Sequence, residues 1–124
     1  MSALATHLLL DLERCNAERL DDLDFVRRSL IDAVAEAEAT MVGESFHKFA
    51  PVGVTGVIAL AESHISVHTW PEHAFATVDI LTCGPNVKPR RAADLIIRRL
   101  ECEEPSITEL ERGTVSEPSA ITQQ

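Results

Sequence analysis

Two hydrophobic periodicities alternate along the chain, one typical of helices and the other typical of strands. Residues 21–40 carry apolar side chains at spacings of three and four, which predicts an amphipathic helix over this segment. These apolar residues are Leu23, Val26, Leu30 and Val34. Acidic side chains at the start of the segment suit the positive end of a helix dipole, so they are interpreted as a helix cap. They are Asp21, Asp22 and Asp24.

A second helix is predicted over residues 89–100, where Leu95 and Ile96 face inward and a proline occupies the tolerated first turn. Segments rich in β-branched residues, separated by Pro and Gly, predict the strands. The strands are expected at residues 7–13, 40–49, 54–61, 64–69, 75–82 and 106–112.

The order β-α-β-β-β-β-α-β predicts an α+β fold, a two-layer sandwich with two helices on one face of a mainly antiparallel sheet. The strand at residues 64–69 indicates what the other face carries, because its alternate positions are His64, Ser66 and His68. A polar but uncharged sheet face is expected to be an interface or an active site. We therefore predict a homodimer whose sheets stack face to face, an αββα arrangement.

Composition fits one domain: 124 residues, 45% of them apolar, with a net charge of −9 that disfavours binding to nucleic acid. No apolar run approaches the length of a bilayer span, and no basic segment precedes an apolar one as in a secretory signal. The cysteines are three, without a CxxC pair, which favours reduced thiols and a cytoplasmic location. Residues 114–124 are expected to form a flexible tail.

Reactive side chains concentrate in residues 60–72, and two ordinary readings of them are weak. A metal site would use histidines four residues apart, which lie about 13 Å apart on a strand and cannot share an ion unaided. Its candidate ligands are His64, His68, His73 and Cys83. A serine hydrolase would lack the Gly-x-Ser-x-Gly turn around its nucleophile. Its candidate triad is Ser63, His68 and Asp79.

A third reading treats the bond between Glu62 and Ser63 as self-processing. A serine hydroxyl can attack the preceding carbonyl when a turn is strained and a base is near. Elimination from the resulting ester, followed by hydrolysis, would leave a pyruvoyl group that acts as an electron sink on a substrate amine. The physics of the sequence does not by itself select this reading.

Two motifs select it by resemblance. Residues 61–72 read Ala-Glu-Ser-His-Ile-Ser-Val-His-Thr-Trp-Pro-Glu, and residues 79–84 read Asp-Ile-Leu-Thr-Cys-Gly. With residues 47–49 and 53–57, this pattern resembles the signature of the small prokaryotic S-adenosylmethionine decarboxylase proenzymes. The resemblance covers most of residues 7–113.

The resemblance implies that serinolysis cuts the bond between Glu62 and Ser63 and divides the chain into residues 1–62 (β chain) and 63–124 (α chain). Ser63 would become the covalent pyruvoyl cofactor that forms a Schiff base with the substrate. The product of decarboxylation, S-adenosylmethioninamine, would supply aminopropyl groups for spermidine and other polyamines.

The resemblance also implies roles for three further residues. His68 would transfer protons during processing, and Cys83 would protonate the substrate α-carbon after CO2 has left. Thr55 lies at the family's threonine-or-serine position and would assist processing by hydrogen bonding.

Strand geometry adds an expectation about where these residues lie. On a single strand, Ser63 and His68 would be about 16 Å apart and on opposite faces. A hairpin at residues 62–63 would place Thr55 beside His68, and a second hairpin at residues 72–73 would bring Cys83 opposite Ser63. The two clusters would then lie at opposite ends of the strands, so we expect a dimer whose stacked sheets share each active site, as the resemblance also implies.

The family's usual substrate, S-adenosylmethionine, carries a sulfonium cation and an adenine ring, both of which bind aromatic faces. Phe49 and Trp70 are the aromatic candidates, and Glu72 would bind the ribose hydroxyls or the cation. Residues 73–75 read His-Ala-Phe where the family commonly has a Tyr-Gly-Tyr-like stretch, so the substrate stays open. The alternatives are a pyruvoyl-dependent decarboxylase of arginine or ornithine and an unprocessed, non-catalytic binding homologue.

Overall fold

A six-stranded antiparallel sheet forms one layer of the protein and helices form the other, in a computed structural model that describes residues 2–116. The strands are β1 (Ser2–Glu13), β2 (Met41–Lys48), β3 (Val54–Leu60), β4 (Ser63–Trp70), β5 (Phe75–Thr82) and β6 (Glu104–Val115). The helices are α1 (Ala17–Leu20), α2 (Leu23–Glu36) and α3 (Pro89–Arg99), with a short 3-10 turn at Pro71–His73. This α+β two-layer sandwich confirms the predicted fold class.

The strand order in the sheet is β2-β3-β4-β5-β1-β6, so β4 lies in the interior of the sheet with β3 and β5 as its neighbours. All five pairings are antiparallel. Thr55 of β3 lies opposite His68 of β4, which confirms the predicted pairing, but the turn that joins these strands is residues 61–62, one position before the predicted hairpin at 62–63. The second hairpin is centred at residues 72–73 as predicted, and this register places Ser63 at the start of β4 opposite Thr82, so the predicted pairing of Ser63 with Cys83 is wrong by one residue.

The hydrophobic core lies between the helices and one face of the sheet. In β5 the side chains alternate between buried and half-buried, the pattern of a strand covered on one face. The largest fully buried side chains come from both layers and include Leu8, Leu10, Ile58, Ile65, Ile80, Leu30 and Ile96. The other face of β4 carries His64, Ser66 and His68, so the uncovered polar face predicted from the sequence is confirmed.

Several element boundaries differ from the prediction, and β1 already begins at Ser2. The helix predicted at residues 21–40 occupies only part of that segment. It begins after Asp22, whose carboxylate accepts a capping hydrogen bond from Phe25 N (3.0 Å), and it ends at Glu36. Residues 17–20 form a separate short helix that the periodicity does not reveal. The final strand continues to Val115, since it pairs with the start of β1, so the tail predicted at residues 114–124 is wrong at its beginning. Its remaining residues, 117–124, lie outside the described part of the chain.

Candidate active site

The turn between β3 and β4 is fixed by hydrogen bonds from two distant segments. Glu62 O accepts from Cys83 N at 3.0 Å and from Cys83 Sγ at 3.1 Å. The Glu62 carboxylate accepts from Thr40 N at 3.0 Å, while Thr40 O accepts from Ala61 N at 2.9 Å. We call Glu62, Ser63 and Cys83 the turn cluster. Its central feature is a peptide carbonyl held by two donors from one residue.

Ser63 follows this carbonyl with an unusual backbone conformation. Its φ angle is +147°, a region that residues with a side chain rarely adopt. Such a conformation costs about 1–3 kcal/mol and persists only where the surrounding structure imposes it. The hydrogen bonds that hold Glu62 on one side and the pairing of β4 on the other supply that constraint.

His68 and Thr55 form a second pair near the opposite end of the same strands. His68 Nδ1 lies 3.0 Å from Thr55 Oγ1, and the histidine side chain is exposed on the open face of the sheet. The Trp70 ring follows on this face, with its centroid 6.4 Å from that of His68. The register of β3 and β4 therefore creates the contact that the first hairpin predicted.

A cavity of about 250 Å³ opens beside this pair. It brings together the three residues proposed from the sequence as substrate-binding groups and the two residues of the histidine pair. We call it the aromatic cavity; its lining residues are Phe49, Val52, Gly53, Thr55, His68, Thr69, Trp70 and Glu72. The combination of two aromatic rings and one carboxylate suits a ligand with a flat ring and a cationic centre.

The walls of the aromatic cavity are held from below by the end of α1. Thr69 is buried, donates to Leu20 O at 2.8 Å and accepts from Val54 N at 2.9 Å. Asp21, the next residue, accepts from Gly53 N at 2.8 Å. The interpretation of Asp21 as part of a helix cap is wrong for its side chain, which binds Gly53 instead. No local pattern reveals this contact, because it spans 32 positions.

The turn cluster and the aromatic cavity do not meet within one chain. Ser63 and His68 are five positions apart on extended β4, which separates them by about 16 Å. A proton transfer needs heavy atoms within about 3 Å, or one water between them. One protomer therefore does not bring all the predicted residues into contact with each other.

The alternative triad of Ser63, His68 and Asp79 is not assembled. Asp79 Oδ1 lies 3.0 Å from His7 Nε2, and its neighbour on β4 is Ser66. His68 instead contacts Thr55, so the serine hydrolase reading has no orienting carboxylate on its histidine.

The cysteines differ in their surroundings. Cys83 is exposed in the turn cluster, whereas Cys15 is buried near Cys102. Burial raises the pKa of the Cys15 thiol to about 12, with a smaller contribution from Cys102. Cys83 is thus accessible to solvent, whereas Cys15 belongs to the core.

No helix among residues 2–116 is long and apolar enough to span a membrane.

Comparison with known proteins identifies the family. The family model described as S-adenosylmethionine decarboxylase matches residues 6–113. A relative from Thermodesulfovibrio yellowstonii, named S-adenosylmethionine decarboxylase proenzyme, is 51% identical over 94% of this chain and 86% of its own length. A relative of the same name from Methanococcus maripaludis is 40% identical over 94% of this chain and 96% of its own.

A solved structure agrees with these sequence matches. The crystal structure of the adenosylmethionine decarboxylase from Aquifex aeolicus superposes with a TM-score of 0.89 at 43% identity, covering 96% of this chain and 98% of that one. Sequence, fold and motif thus agree over the same residues, and the chain belongs to the S-adenosylmethionine decarboxylase family.

Proposed function

We propose that the chain is a self-processing, pyruvoyl-dependent decarboxylase that converts S-adenosylmethionine to S-adenosylmethioninamine and CO2. The observation that carries the proposal is the turn cluster, where Ser63 at φ +147° follows a carbonyl bound by two donors of Cys83. The product would supply aminopropyl groups for spermidine synthesis. The family match favours this substrate over arginine and ornithine.

Self-cleavage would begin with attack of Ser63 Oγ on the carbonyl carbon of Glu62. Negative charge then develops on Glu62 O, where the N–H and S–H groups of Cys83 already donate. The acyl group moves from nitrogen to oxygen, elimination releases residues 1–62 with a new carboxylate, and hydrolysis of the remaining enamine releases ammonia. The backbone strain at Ser63 is relieved once this bond breaks.

The residues around Ser63 fit the pyruvoyl group that would result. Such a group would supply a carbonyl that can act as an electron sink for a substrate amine during decarboxylation. The exposed Cys83 thiol lies beside the new chain end and would donate a proton to the substrate α-carbon. After cleavage, the Cys83 S–H would no longer donate a hydrogen bond to the Glu62 carbonyl, so it would be free to donate this proton.

The aromatic cavity would bind the nucleoside part of the substrate. Phe49 and Trp70 offer faces for adenine or the sulfonium, and Glu72 offers a carboxylate for ribose hydroxyls or the cation. His68 on the cavity floor would move protons during processing, with Thr55 holding its Nδ1.

A complete site would require a second copy of the chain. The turn cluster and the aromatic cavity lie near opposite ends of β4, so a two-fold axis through stacked open faces would join one protomer's cluster to its partner's cavity. The open face also exposes apolar side chains that such stacking would cover, including Val57 and Leu110. We propose a homodimer of cleaved protomers that acts in the reducing cytoplasm, where its three free cysteines persist.

Intact-mass analysis and a substrate panel test the proposal. The purified protein should appear as residues 1–62 and a pyruvoyl-blocked fragment 63–124, and it should release CO2 from S-adenosylmethionine but not from arginine or ornithine. The matched control, Ser63→Ala, should stay undivided and inactive. An undivided wild-type chain that binds S-adenosylmethionine without releasing CO2 would show a binding homologue instead.

A further inference from the structure

We infer that Asp21 is a positioning residue of the aromatic cavity, holding the loop that carries Phe49 at a fixed distance from Trp70. The inference rests on the proposed use of this cavity by the substrate. It assigns a role in ligand affinity to a residue that lines neither the cavity nor the turn cluster.

The Asp21 carboxylate binds both ends of the loop between β2 and β3. Its Oδ1 accepts from Gly53 N at 2.8 Å, and the same oxygen lies 2.9 Å from Lys48 Nζ. Lys48 is the last residue of β2, and Gly53 immediately precedes β3. One carboxylate therefore ties together the two points where the loop leaves and rejoins the sheet.

Both backbone groups of Phe49 depend on these two residues. Phe49 N donates to Gly53 O at 2.8 Å, and Phe49 O accepts from Lys48 Nζ at 3.0 Å. The Phe49 side chain is 45% exposed, so burial contributes little to its position. Its ring contacts His47 edge-on at 4.5 Å between centroids. Polar contacts that lead back to Asp21 fix the backbone from which this ring projects.

The neighbouring residue anchors the opposite side of the cavity. Leu20 O accepts from Thr69, which precedes Trp70 on β4. Gly53 packs so closely that an added Cβ would lie 3.3 Å from Thr69 O. Leu20 therefore anchors the strand that carries Trp70, and the adjacent Asp21 anchors the loop that carries Phe49. Because these two anchors are neighbours in the chain, they set the distance between the two aromatic rings.

Helix capping does not account for the Asp21 side chain. The capping bond of α2 belongs to Asp22, whose carboxylate accepts from Phe25 N. The bond from Gly53 N, followed by the one from Lys48, lowers the pKa of Asp21 below its ordinary value. The carboxylate is thus charged at neutral pH, as its contact with Lys48 requires.

The expected effect follows from the fraction of molecules in which the loop is correctly placed. Apparent Kd equals the intrinsic value divided by that fraction. Asp21→Ala removes both contacts, and a loop correctly placed about one tenth of the time would raise Kd about tenfold. Asp21→Asn keeps an oxygen for Gly53 N but loses the charge, so a rise of about threefold is expected.

The experiment measures binding and turnover in the processed enzyme. Binding is followed by fluorescence of the single tryptophan, Trp70, during titration with 5′-methylthioadenosine, which carries the adenosine and thioether parts of the substrate. KM and kcat are then measured with S-adenosylmethionine. The matched control is Asp22→Asn, which removes the same charge one position away and loosens only the helix cap.

Support consists of raised Kd and KM in Asp21→Ala, a smaller rise in Asp21→Asn, and unchanged values in Asp22→Asn, with kcat within about twofold throughout. Equal Kd in Asp21→Ala and wild type would overturn the inference, and so would an equal rise in Asp22→Asn.

Should Asp21→Ala fail to fold, Lys48→Met removes the contact to Phe49 O and must raise Kd by itself. A wild-type enzyme that is cleaved and active but does not bind the probe in this cavity would overturn the inference while leaving the decarboxylase intact. An uncleaved, inactive wild type would refute the proposed function instead.

Discussion

Co-expression of two inactive chains tests whether each active site is shared between protomers. Ser63→Ala removes the proposed nucleophile of the turn cluster, and His68→Ala removes the proposed proton-transfer group of the aromatic cavity. The two residues lie about 16 Å apart along β4, so neither variant should regain cleavage within its own chain. In a mixed dimer of the proposed arrangement, however, the intact Ser63 of one chain would face the intact His68 of the other.

The expected yield follows from the two-fold symmetry. With equal expression and random pairing, about half of the dimers are mixed, and each mixed dimer contains one complete site. About half of the His68→Ala chains, or about a quarter of all chains, should therefore be cleaved. Decarboxylation should recover in the same proportion, to about a quarter of the wild-type rate per chain.

Mass spectrometry of the co-purified protein measures this yield directly, because the fragment 63–124 from the His68→Ala chain has its own mass. The matched control pairs Ser63→Ala with Cys83→Ala. Both residues belong to the turn cluster, so a mixed dimer contains no complete site and decarboxylation stays absent. Failure of the first pair to cleave, or recovery in the control pair, would refute the shared site.

Three further predictions concern single residues. Thr55→Val should lower activity about fivefold by removing the hydrogen bond to His68 Nδ1, worth about 1 kcal/mol, while Thr55→Ser retains it; equal rates would contradict the role of this bond. Iodoacetamide at pH 8 should label Cys83 and abolish decarboxylation but spare Cys15 in the folded protein. The pKa of the Cys15 thiol is raised to about 12, so at this pH the thiol is ionised in about one molecule in 10⁴. Peptide mapping that finds Cys15 labelled first would contradict this prediction. Because the pKa of Asp21 is lowered, its carboxylate contributes stability that is present at neutral pH and lost as pH falls through that pKa. The difference in Tm between wild type and Asp21→Asn should therefore shrink below about pH 4. A difference in Tm that stays constant with pH would count against the ion pair.

Local patterns predicted most of the fold. Alternation along β4 and β5 correctly indicated which face is buried, because strand side chains point to opposite faces in turn. Helix boundaries were harder, since Asp21 and Asp22 look alike in sequence while only Asp22 caps α2. The end of β6 was misplaced because its pairing partner, the start of β1, lies at the other end of the chain.

In the candidate site, too, contacts between neighbouring segments could be predicted from the sequence and contacts between distant segments could not. The hairpin between β3 and β4 predicted the contact of Thr55 with His68, because a short turn fixes the register of its strands. The predicted pairing of Ser63 with Cys83 is wrong by one position, because a hairpin centred at residues 72–73 pairs Ser63 with Thr82 and leaves Cys83 to contact Glu62. The hydrogen bond from Gly53 to the Asp21 carboxylate joins two segments that are far apart in the chain, so the hydrophobic periodicity of the sequence does not predict it.

The separation of the two clusters has a physical advantage for a proenzyme. The strain at Ser63 and the donors of Cys83 lie within one chain, so the bond proposed to be cleaved would be prepared as soon as the chain folds. The chain's own His68 is about 16 Å away, so in the proposed dimer the histidine that moves the protons would come from a second folded copy docked on the open face. Cleavage would then follow assembly, and a reactive carbonyl would not form in a monomer whose aromatic cavity stands apart from it. A monomeric variant, made by placing a charge at exposed Leu110, should accordingly fold but remain uncleaved, and cleavage of that monomer would separate processing from dimer formation.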